Sequence, residues 1–295
     1  MAAQLRSQDD EARRAAEKAR DPRELAAYYA PGVEAWYGDL AQLGRDAILL
    51  PGNHDHNFRL LAFLDRFQAP SDAFHHLDVG CGAGLYAVSI LLRHPRARVT
   101  GVDISARNLQ AAQALARRAG VEERLRLVRA DANHLPILGA FDTILCSEIV
   151  EHLPDPRPAL ARLREMATAT TALYVSVPHI DIKNTSDIMY VRYDAQGRKV
   201  GESSDVEALR GDGRLEAYFH HLYSEAEILA LLREVGFEGI DVTGANLRFP
   251  PSYPWISFGL KTLFASAGLD AWLNKVSRRR FAGNLLVVAR PRAAP

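Results

Sequence analysis

The chain of 295 residues is long enough to bury a sizeable core, which fits one large domain with attached segments. Its 36 basic and 36 acidic side chains leave no formal net charge, so composition does not favour nucleic acid or an anionic membrane as a partner. No apolar run approaches the ~20 residues of a membrane-spanning helix. The two cysteines, Cys81 and Cys146, are too few for a disulfide framework, and the first residues lack an apolar signal-peptide core. We therefore expect a cytoplasmic protein.

Residues 1–70 are predicted to form a helical cap ahead of the main domain. Residues 5–20 are rich in Ala, Arg and Glu but have little apolar face, which is typical of an exposed helix. The aromatic side chains that follow, Tyr29 and Trp36 among them, fit either a pocket wall or an ordinary core. Residues 53–67 carry one apolar stripe at helical spacing, which suits a helix that covers a sheet.

From residue 74 onward, strand patterns alternate with helix patterns. Strands are predicted at 74–79, 98–102, 124–129, 141–146, 171–177, 237–243 and 284–290. Helices are predicted at 84–93, 105–119, 157–166 and 225–235. This alternation predicts an α/β fold, in which helices cover both faces of a parallel sheet. Ligands bind such sheets beyond the carboxyl ends of the strands, near the point where the strand order reverses.

Two stretches interrupt the alternation and are predicted to be insertions. Residues 179–220 contain four glycines, the pair Ser203 and Ser204, and Asn184, which together predict a long loop-rich segment. Residues 245–280 combine prolines and large apolar side chains with a run of three arginines at 278–280. That composition leaves three interpretations open: packing on a substrate pocket or a second subunit, contact with a membrane surface, or binding of an anionic substrate group.

A glycine-rich turn joins the first predicted strand to the first helix of the alternation. Its glycines, Gly80, Gly82 and Gly84, have the spacing G-x-G-x-G. The dinucleotide fingerprint would need another glycine at position 85, which is Leu85. Asp78 lies just ahead of the turn and disfavours a pyrophosphate. A ligand with its own cation, such as an α-amino acid, fits this turn better.

Three further stretches, 101–105, 130–132 and 141–156, each lie at the end of a predicted strand, and the last of them includes its strand. Together with residues 77–84 they resemble, in the same order, the class I S-adenosylmethionine-dependent methyltransferases. The resemblance implies a Rossmann-like sheet of seven strands, mostly parallel with the last strand antiparallel, plus an amino-terminal helical cap. The methyltransferase domain would span residues 71–295. S-adenosyl-L-methionine would be the cofactor, and S-adenosyl-L-homocysteine the product.

The same resemblance assigns parts of the cofactor to residues at the strand ends and to one residue of the amino-terminal cap, Tyr29. The residues concerned are Tyr29, Asp78, Gly80, Cys81, Gly82, Gly84, Asp103, Ile104, Asp131, Ala132 and Ser147. Asp78 would lie near the amino group, and the Asp103 carboxylate would accept both ribose hydroxyl protons. Ile104 would press on the adenine face, Asp131 would accept from the adenine amino group, and Ala132 would offer a backbone donor. Each acid, taken alone, could instead cap a helix.

The implied reaction transfers a methyl group to a small molecule, with oxygen as the preferred acceptor atom. An oxygen nucleophile needs a proton acceptor, for which His152, His220 and His221 are the catalytic candidates. A secondary metabolite, a sugar derivative or a quinone-like lipid would fit as acceptor. Two alternatives to O-methylation remain open: methylation at carbon or nitrogen, and a protein that binds the cofactor without methylating. A homodimer is also possible. Nucleic acid is not expected as a partner.

Glu148, Glu151 and His152 offer an alternative chemistry. At positions i, i+3 and i+4 they would share one face of a helical turn, where they could hold a divalent metal. This pattern resembles metal-assisted ubiquinone-pathway O-methyltransferases and small-RNA 2′-O-methyltransferases, and His179 could add a ligand. However, the motif E-H-L-P-D-P is also common in metal-free relatives, and the prolines at 154, 156 and 158 oppose a regular helix at His152. No metal site is therefore predicted.

Overall fold

The computed structural model describes residues 54–136, 139–179, 187–195, 199–203, 205–209, 211–247 and 282–293. Most of the predicted cap, Tyr29 included, and most of the segment 245–280 lie outside the described residues. The strands are β1 (His75–Val79), β2 (Arg98–Asp103), β3 (Leu125–Arg129), β4 (Phe141–Ser147), β5 (Ala167–Pro178), β6 (Ile188–Tyr193), β7 (Lys199–Ser203), β8 (Arg214–Phe219), β9 (Phe237–Leu247) and β10 (Ala282–Pro291). The helices are α1 (His54–Arg66), α2 (Leu85–Arg93), α3 (Ala106–Arg118), α4 (Arg157–Glu165) and α5 (Glu225–Glu234).

The main sheet has seven strands in the order β3-β2-β1-β4-β5-β10-β9. Strands β1 to β5 pair in parallel, whereas β10 runs antiparallel to both of its neighbours. The predicted seven-stranded, mostly parallel sheet is confirmed, with β10 inserted before the edge strand β9. From β1 to β3 the chain adds strands on one side of β1, and from β4 onward it adds them on the other side of β1. The strand order therefore reverses between β1 and β4, where sheets of this kind bind ligands.

The register of the central strands brings their carboxyl ends to one level. Val79 of β1 pairs with Val102 of β2 and with Cys146 of β4. The residues that follow these three positions therefore leave the sheet side by side. Cys146 and Cys81 are buried free thiols, in agreement with the cysteine count.

Helices cover both faces of the main sheet. On one face, α1, α2 and α3 contribute core residues such as Leu60, Ile90 and Leu115. On the other face, α4 and α5 contribute Leu160 and Ile228. Because both faces are covered, most residues of the central strands β1, β2 and β4 are buried. None of the helices in the described residues has the length and hydropathy that a membrane crossing requires.

The prediction of a loop-rich segment at 179–220 is wrong, because this segment contains a second sheet. Its three antiparallel strands lie in the order β7-β6-β8. Strand β6, with the sequence IMYVRY, is built of the apolar and aromatic residues that favour strands. Gly211 and Gly213 fall in the connection to β8, whereas Gly201 lies inside β7. The glycine content of the segment therefore did not exclude strands.

Candidate functional site

The turn after β1 is hydrogen-bonded to the end of β2. The three glycines of the turn have φ values of 70°, 51° and 82°, a left-handed region that favours glycine. The Cys81 N–H donates to the Val102 carbonyl at 2.8 Å, and the Gly82 N–H donates to the Asp103 Oδ2 at 2.8 Å. The turn is therefore held against the acidic end of the neighbouring strand.

Two glycines of this turn differ in what a larger residue would meet. A Cβ at Gly80 would lie 2.0 Å from Ile149 Cδ1, whereas a Cβ at Gly82 would have nothing within 4 Å. Gly80→Ala is expected to lower the free energy of unfolding by about 2–4 kcal/mol, from overpacking and a left-handed backbone. Gly82→Ala, the matched control, should cost about 1–2 kcal/mol, from the backbone alone. Urea unfolding of both variants checks this, and equal losses would contradict it.

Asp103 is buried at 8% exposure and accepts three hydrogen bonds from the chain. Its Oδ1 accepts from the Ser105 N–H at 2.8 Å and from the Asn108 Nδ2 at 3.2 Å, and its Oδ2 accepts from the Gly82 N–H. Burial raises the pKa of Asp103, and these hydrogen bonds offset part of the rise. A carboxylate has about four acceptor positions, so about one remains for a ligand.

Ser105 and Asn108 are site residues that the sequence analysis missed. Ser105 caps α3 by accepting from the Asn108 N–H at 3.2 Å. Both residues also donate to Asp103, so the start of α3 fixes the carboxylate in place. A serine directly before a helical pattern, two residues after an acidic strand end, was the available sequence signal.

Asp78 is the second buried acid at these strand ends, with 2% exposure. Burial, and then the charge of Asp103, raise the pKa of Asp78 to about 7. A hydrogen bond from the Ala87 backbone opposes the rise. Its Oδ2 has no hydrogen-bond partner among the described residues. A buried carboxyl group in this state would gain from a cationic ligand.

The raised pKa of Asp78 predicts a pH dependence of stability. The folded-state pKa of about 7 lies above the ordinary value of 3.8, so ionisation of Asp78 opposes folding. Its contribution to the free energy of unfolding is therefore lost as the pH rises from about 4 to about 7. Asp78→Asn should remove this loss and be more stable than the parent at pH 8, by roughly 1–4 kcal/mol. Urea unfolding from pH 5 to 8 measures the difference, and parallel profiles would contradict the prediction.

The end of β3 lies beside the end of β2. The Ala130 N–H donates to the Asp103 carbonyl at 3.1 Å. Ile104, Asp131 and Ala132 follow these two strand ends directly and are partly buried. Sequence-predicted residues from two strands therefore lie at the same edge of the sheet.

Asp131 has a structural role that the sequence analysis also considered. Its Oδ1 accepts from the Asn133 N–H at 2.9 Å and caps the 3₁₀ turn Ala132–His134. Its side chain is 38% exposed, and its Oδ2 lies 3.5 Å from the His134 Nδ1. Asp131 is thus far more accessible than Asp78 or Asp103.

The end of β4 carries a hydrogen-bonded polar network. Glu148 has a φ of 55°, an uncommon value for a residue other than glycine. Its carboxylate accepts from the Ser176 Oγ and from the Asn284 Nδ2, each at 2.9 Å. Ser147 lies 2.9 Å from the same Ser176 hydroxyl, and Arg59 of α1 lies 3.9 Å from Glu148. These contacts from β5, β10 and α1 hold the strained residue.

Two of the three predicted catalytic histidines lie together. His152 ends a 3₁₀ turn, Val150–His152, and its Nδ1 lies 3.2 Å from the Phe219 carbonyl at the end of β8. The rings of His220 and Tyr218 lie 5.2 Å and 5.9 Å from the His152 ring. The second sheet therefore packs its final residues against the turn after β4.

His221, the third candidate, points to different partners. Its Nδ1 lies 2.7 Å from the Asp187 Oδ1, and its ring packs edge-on against Tyr223 at 4.5 Å. Its backbone N–H donates to the Glu151 carbonyl at 2.9 Å. His221 thus holds the second sheet in place, and the structure does not group it with His152 and His220.

The helical face required by the metal alternative is not formed. The turn after β4 is a 3₁₀ turn that begins at Val150, so Glu148 lies outside it. The Glu148 carboxylate accepts hydrogen bonds from Ser176 of β5 and Asn284 of β10. Across the described ranges, no three His, Cys, Asp or Glu side chains gather as a metal site.

The sheet order, the strand reversal and the glycine turn bonded to an acidic strand end are the features that the resemblance to class I, S-adenosylmethionine-dependent methyltransferases implies. A methyltransferase-domain family model matches residues 77–170, which include both acidic strand ends. The sequence resemblance is thereby confirmed. S-adenosylmethionine is the cofactor of this class.

The chain is 40% identical over 103 residues to ubiquinone biosynthesis O-methyltransferase from Chromobacterium violaceum. The matched stretch covers 35% of this chain and 43% of that relative. The chain thus spans less than half the length of this relative. Ajmaline N-methyltransferase from Rauvolfia serpentina is 28% identical over 254 residues, covering 84% of this chain and 77% of that relative.

Among solved structures, the crystal structure of the [4+2]-cyclase SpnF resembles this one with a TM-score of 0.59. The two chains are 17% identical, and the likeness covers 92% of this chain and 95% of SpnF. At this identity the likeness shows the fold alone. Since a cyclase shares the fold, the fold by itself does not specify the reaction.

Proposed function

We propose that the protein transfers the methyl group of S-adenosylmethionine to a hydroxyl group of a small molecule. One observation carries the proposal: two buried carboxyl groups, Asp78 and Asp103, flank a glycine turn where the strand order reverses. An amino acid joined to a nucleoside offers a cation and ribose hydroxyls, and these carboxyl groups can accept from both.

The cofactor fits the polar groups that the turn leaves unsatisfied. The amino group would ion-pair with Asp78, whose Oδ2 has no partner in the described part of the chain. A ribose hydroxyl would donate to the remaining acceptor position of Asp103, and a second would displace one of its present donors. The open face of Gly82 allows the ligand to approach the backbone.

The remaining assignments follow the order of the strand ends. Ile104 would contact the adenine face, and the exposed part of Asp131 would accept from the adenine amino group, with Ala132 beside it. Ser147, at the end of β4, would lie toward the methyl group and the acceptor.

Oxygen is the acceptor atom that His152 supports. The sulfonium supplies a neutral thioether as leaving group, so the protein mainly aligns the acceptor and excludes water. A hydroxyl must lose a proton during transfer, and an imidazole near the end of β4 suits that task. The relatives named above include both an O- and an N-methyltransferase, so they do not choose the acceptor atom.

The full chain should be incubated with S-adenosylmethionine and matched panels of hydroxylated and amine-bearing small molecules. We expect S-adenosylhomocysteine and a methylated product from the hydroxylated panel, with turnover unaffected by a chelator. Calorimetry should detect binding of S-adenosylhomocysteine without any acceptor. Methylation of amines alone would overturn the oxygen assignment. Cofactor binding without turnover in either panel would favour a non-methylating protein.

A further inference from the structure

Asp78 is surrounded by groups that can carry only negative charge. Its side chain is 2% exposed, and its Oδ2 has no hydrogen-bond partner in the part of the chain that the structure describes. Among the described residues, its charge interacts with Asp103 of β2, Cys81 of the glycine turn, Cys146 of β4 and Tyr86 of α2. A carboxyl, a thiol or a phenol cannot become a cation, so these neighbours cannot balance an ionised Asp78.

The two buried acids of the site differ in how the chain stabilises their charge. Asp103 accepts from the Gly82 and Ser105 N–H groups at 2.8 Å and from the Asn108 amide at 3.2 Å. Donors of this kind stabilise a carboxylate. Asp78 receives one backbone hydrogen bond, from Ala87, on a group that has lost its hydration. Asp103 is therefore the acid that stays ionised, and Asp78 is the one that holds a proton.

The neutral form of Asp78 has a consequence for a cationic ligand. Burial, and then the charge of Asp103, raise the pKa of Asp78 to about 7, so the group is mostly protonated in the free protein at pH 6. An ammonium group pairs much better with a carboxylate than with a neutral carboxyl group. Binding of such a ligand therefore favours loss of the proton.

We propose that the ammonium group of the cofactor displaces a proton from Asp78, so that cofactor binding and proton release are linked. This inference rests on the proposed function. The neutral carboxyl group of the free protein becomes a carboxylate paired with the ammonium group, and its proton passes to the solvent. No covalent bond of the cofactor changes in this step. The positive charge that enters the site balances the negative charge that forms there, so neither state contains an unpaired charge at Asp78.

The linkage makes cofactor affinity depend on pH. Below the pKa of Asp78 in the free protein, binding must expel a proton, so affinity falls as the pH falls. With a pKa of about 7, S-adenosylhomocysteine should bind about 20-fold more weakly at pH 5.5 than at pH 7.5. An α-amino group stays largely protonated over this range. Calorimetric titration of the full chain measures both affinities, and equal values would overturn the proposal.

Calorimetry also counts the protons released. The enthalpy of binding is measured at one pH in two buffers that differ in ionisation enthalpy. S-adenosylhomocysteine should release about 0.9 proton at pH 6 and about 0.2 at pH 7.5, from a pKa of about 7. 5′-Methylthioadenosine has the nucleoside and the thioether but no amino acid, so it should release none. Equal release with the two ligands, including none with either, would overturn the proposal.

Two variants assign the proton to its residue. Asp78→Asn cannot hold the proton, so its affinity for S-adenosylhomocysteine should be the same at pH 5.5 and 7.5 within about twofold. Asp131→Asn, the control, alters an accessible acid at a neighbouring strand end and should keep the proton release of the parent. Parent-like release from Asp78→Asn, or loss of release from Asp131→Asn, would overturn the assignment to Asp78.

A second measurement does not depend on cofactor binding. In ¹³C-aspartate spectra of the full chain, the carboxyl signal that Asp78→Asn removes should titrate at a pKa of about 7. Addition of S-adenosylhomocysteine at pH 6 should move this signal to its ionised position. A signal that is already ionised at pH 6 without ligand would overturn the inference. If S-adenosylhomocysteine does not bind, the proposed function fails, whereas the titration still decides whether Asp78 holds a proton.

Discussion

Replacing His152 by asparagine is expected to lower kcat about 100- to 10,000-fold, the usual range for loss of a general base. The Nδ1 of the ring faces the Phe219 carbonyl, and this contact presents the other nitrogen as the basic one. Cofactor affinity should stay within about twofold, because the His152 ring lies against the Phe219 carbonyl and the His220 ring of the second sheet. Steady-state rates with a hydroxylated acceptor, and calorimetry with S-adenosylhomocysteine, measure the two quantities.

His221→Asn is the matched comparison for this variant. His221 lies in the same histidine-rich stretch, but its ring is bonded to Asp187 at 2.7 Å. Its replacement should lower the melting temperature and cost less than about tenfold in kcat, through loosened packing of the second sheet. Equal losses of kcat in the two variants would contradict the separate roles that their partners indicate.

Asp103→Ala is expected to weaken cofactor binding about 30- to 1,000-fold, or roughly 2–4 kcal/mol. The variant removes the acceptor intended for ribose and also frees the Gly82 N–H, which is now 2.8 Å from the Asp103 Oδ2. Both changes loosen the same ligand site. Calorimetric titration with S-adenosylhomocysteine gives the dissociation constant directly.

Asp131→Ala serves as the control for that measurement. Asp131 is 38% exposed and caps a short turn, so its loss should weaken cofactor binding less than about tenfold. Urea unfolding of Asp103→Ala and Asp103→Asn distinguishes a lost contact from a lost fold. Unchanged affinity in a folded Asp103→Ala protein would remove the ribose assignment, and with it the main support for the cofactor site.

Local sequence patterns were sufficient to predict the strands of the main sheet, but they did not predict the strands of the second sheet. The segments that became β1 to β5 alternate with segments of helical spacing, and that alternation can be read from residues that are close together in the chain. Residues 179–220 place short strands between glycine-rich turns, so no window within them shows a long periodic pattern. Their pairing joins β6 to β8, which lie more than 20 residues apart, and local propensity does not report such pairing.

The glycine turn and its two acids were readable from adjacent letters, because a strand end, its turn and the next helix occur together along the chain. The hydrogen-bond partners of those acids could not be read from the sequence. Asp103 receives donors from the turn 21 residues before it, and His152 acquires its tautomer from a carbonyl 67 residues away. The grouping of His152 with His220, and the separate contact of His221 with Asp187, likewise depend on where the second sheet meets the turn after β4. The residue types in the sequence thus specify which chemistry is available. Packing between distant segments decides which atoms perform it, because hydrogen-bond geometry and desolvation depend on neighbours in space.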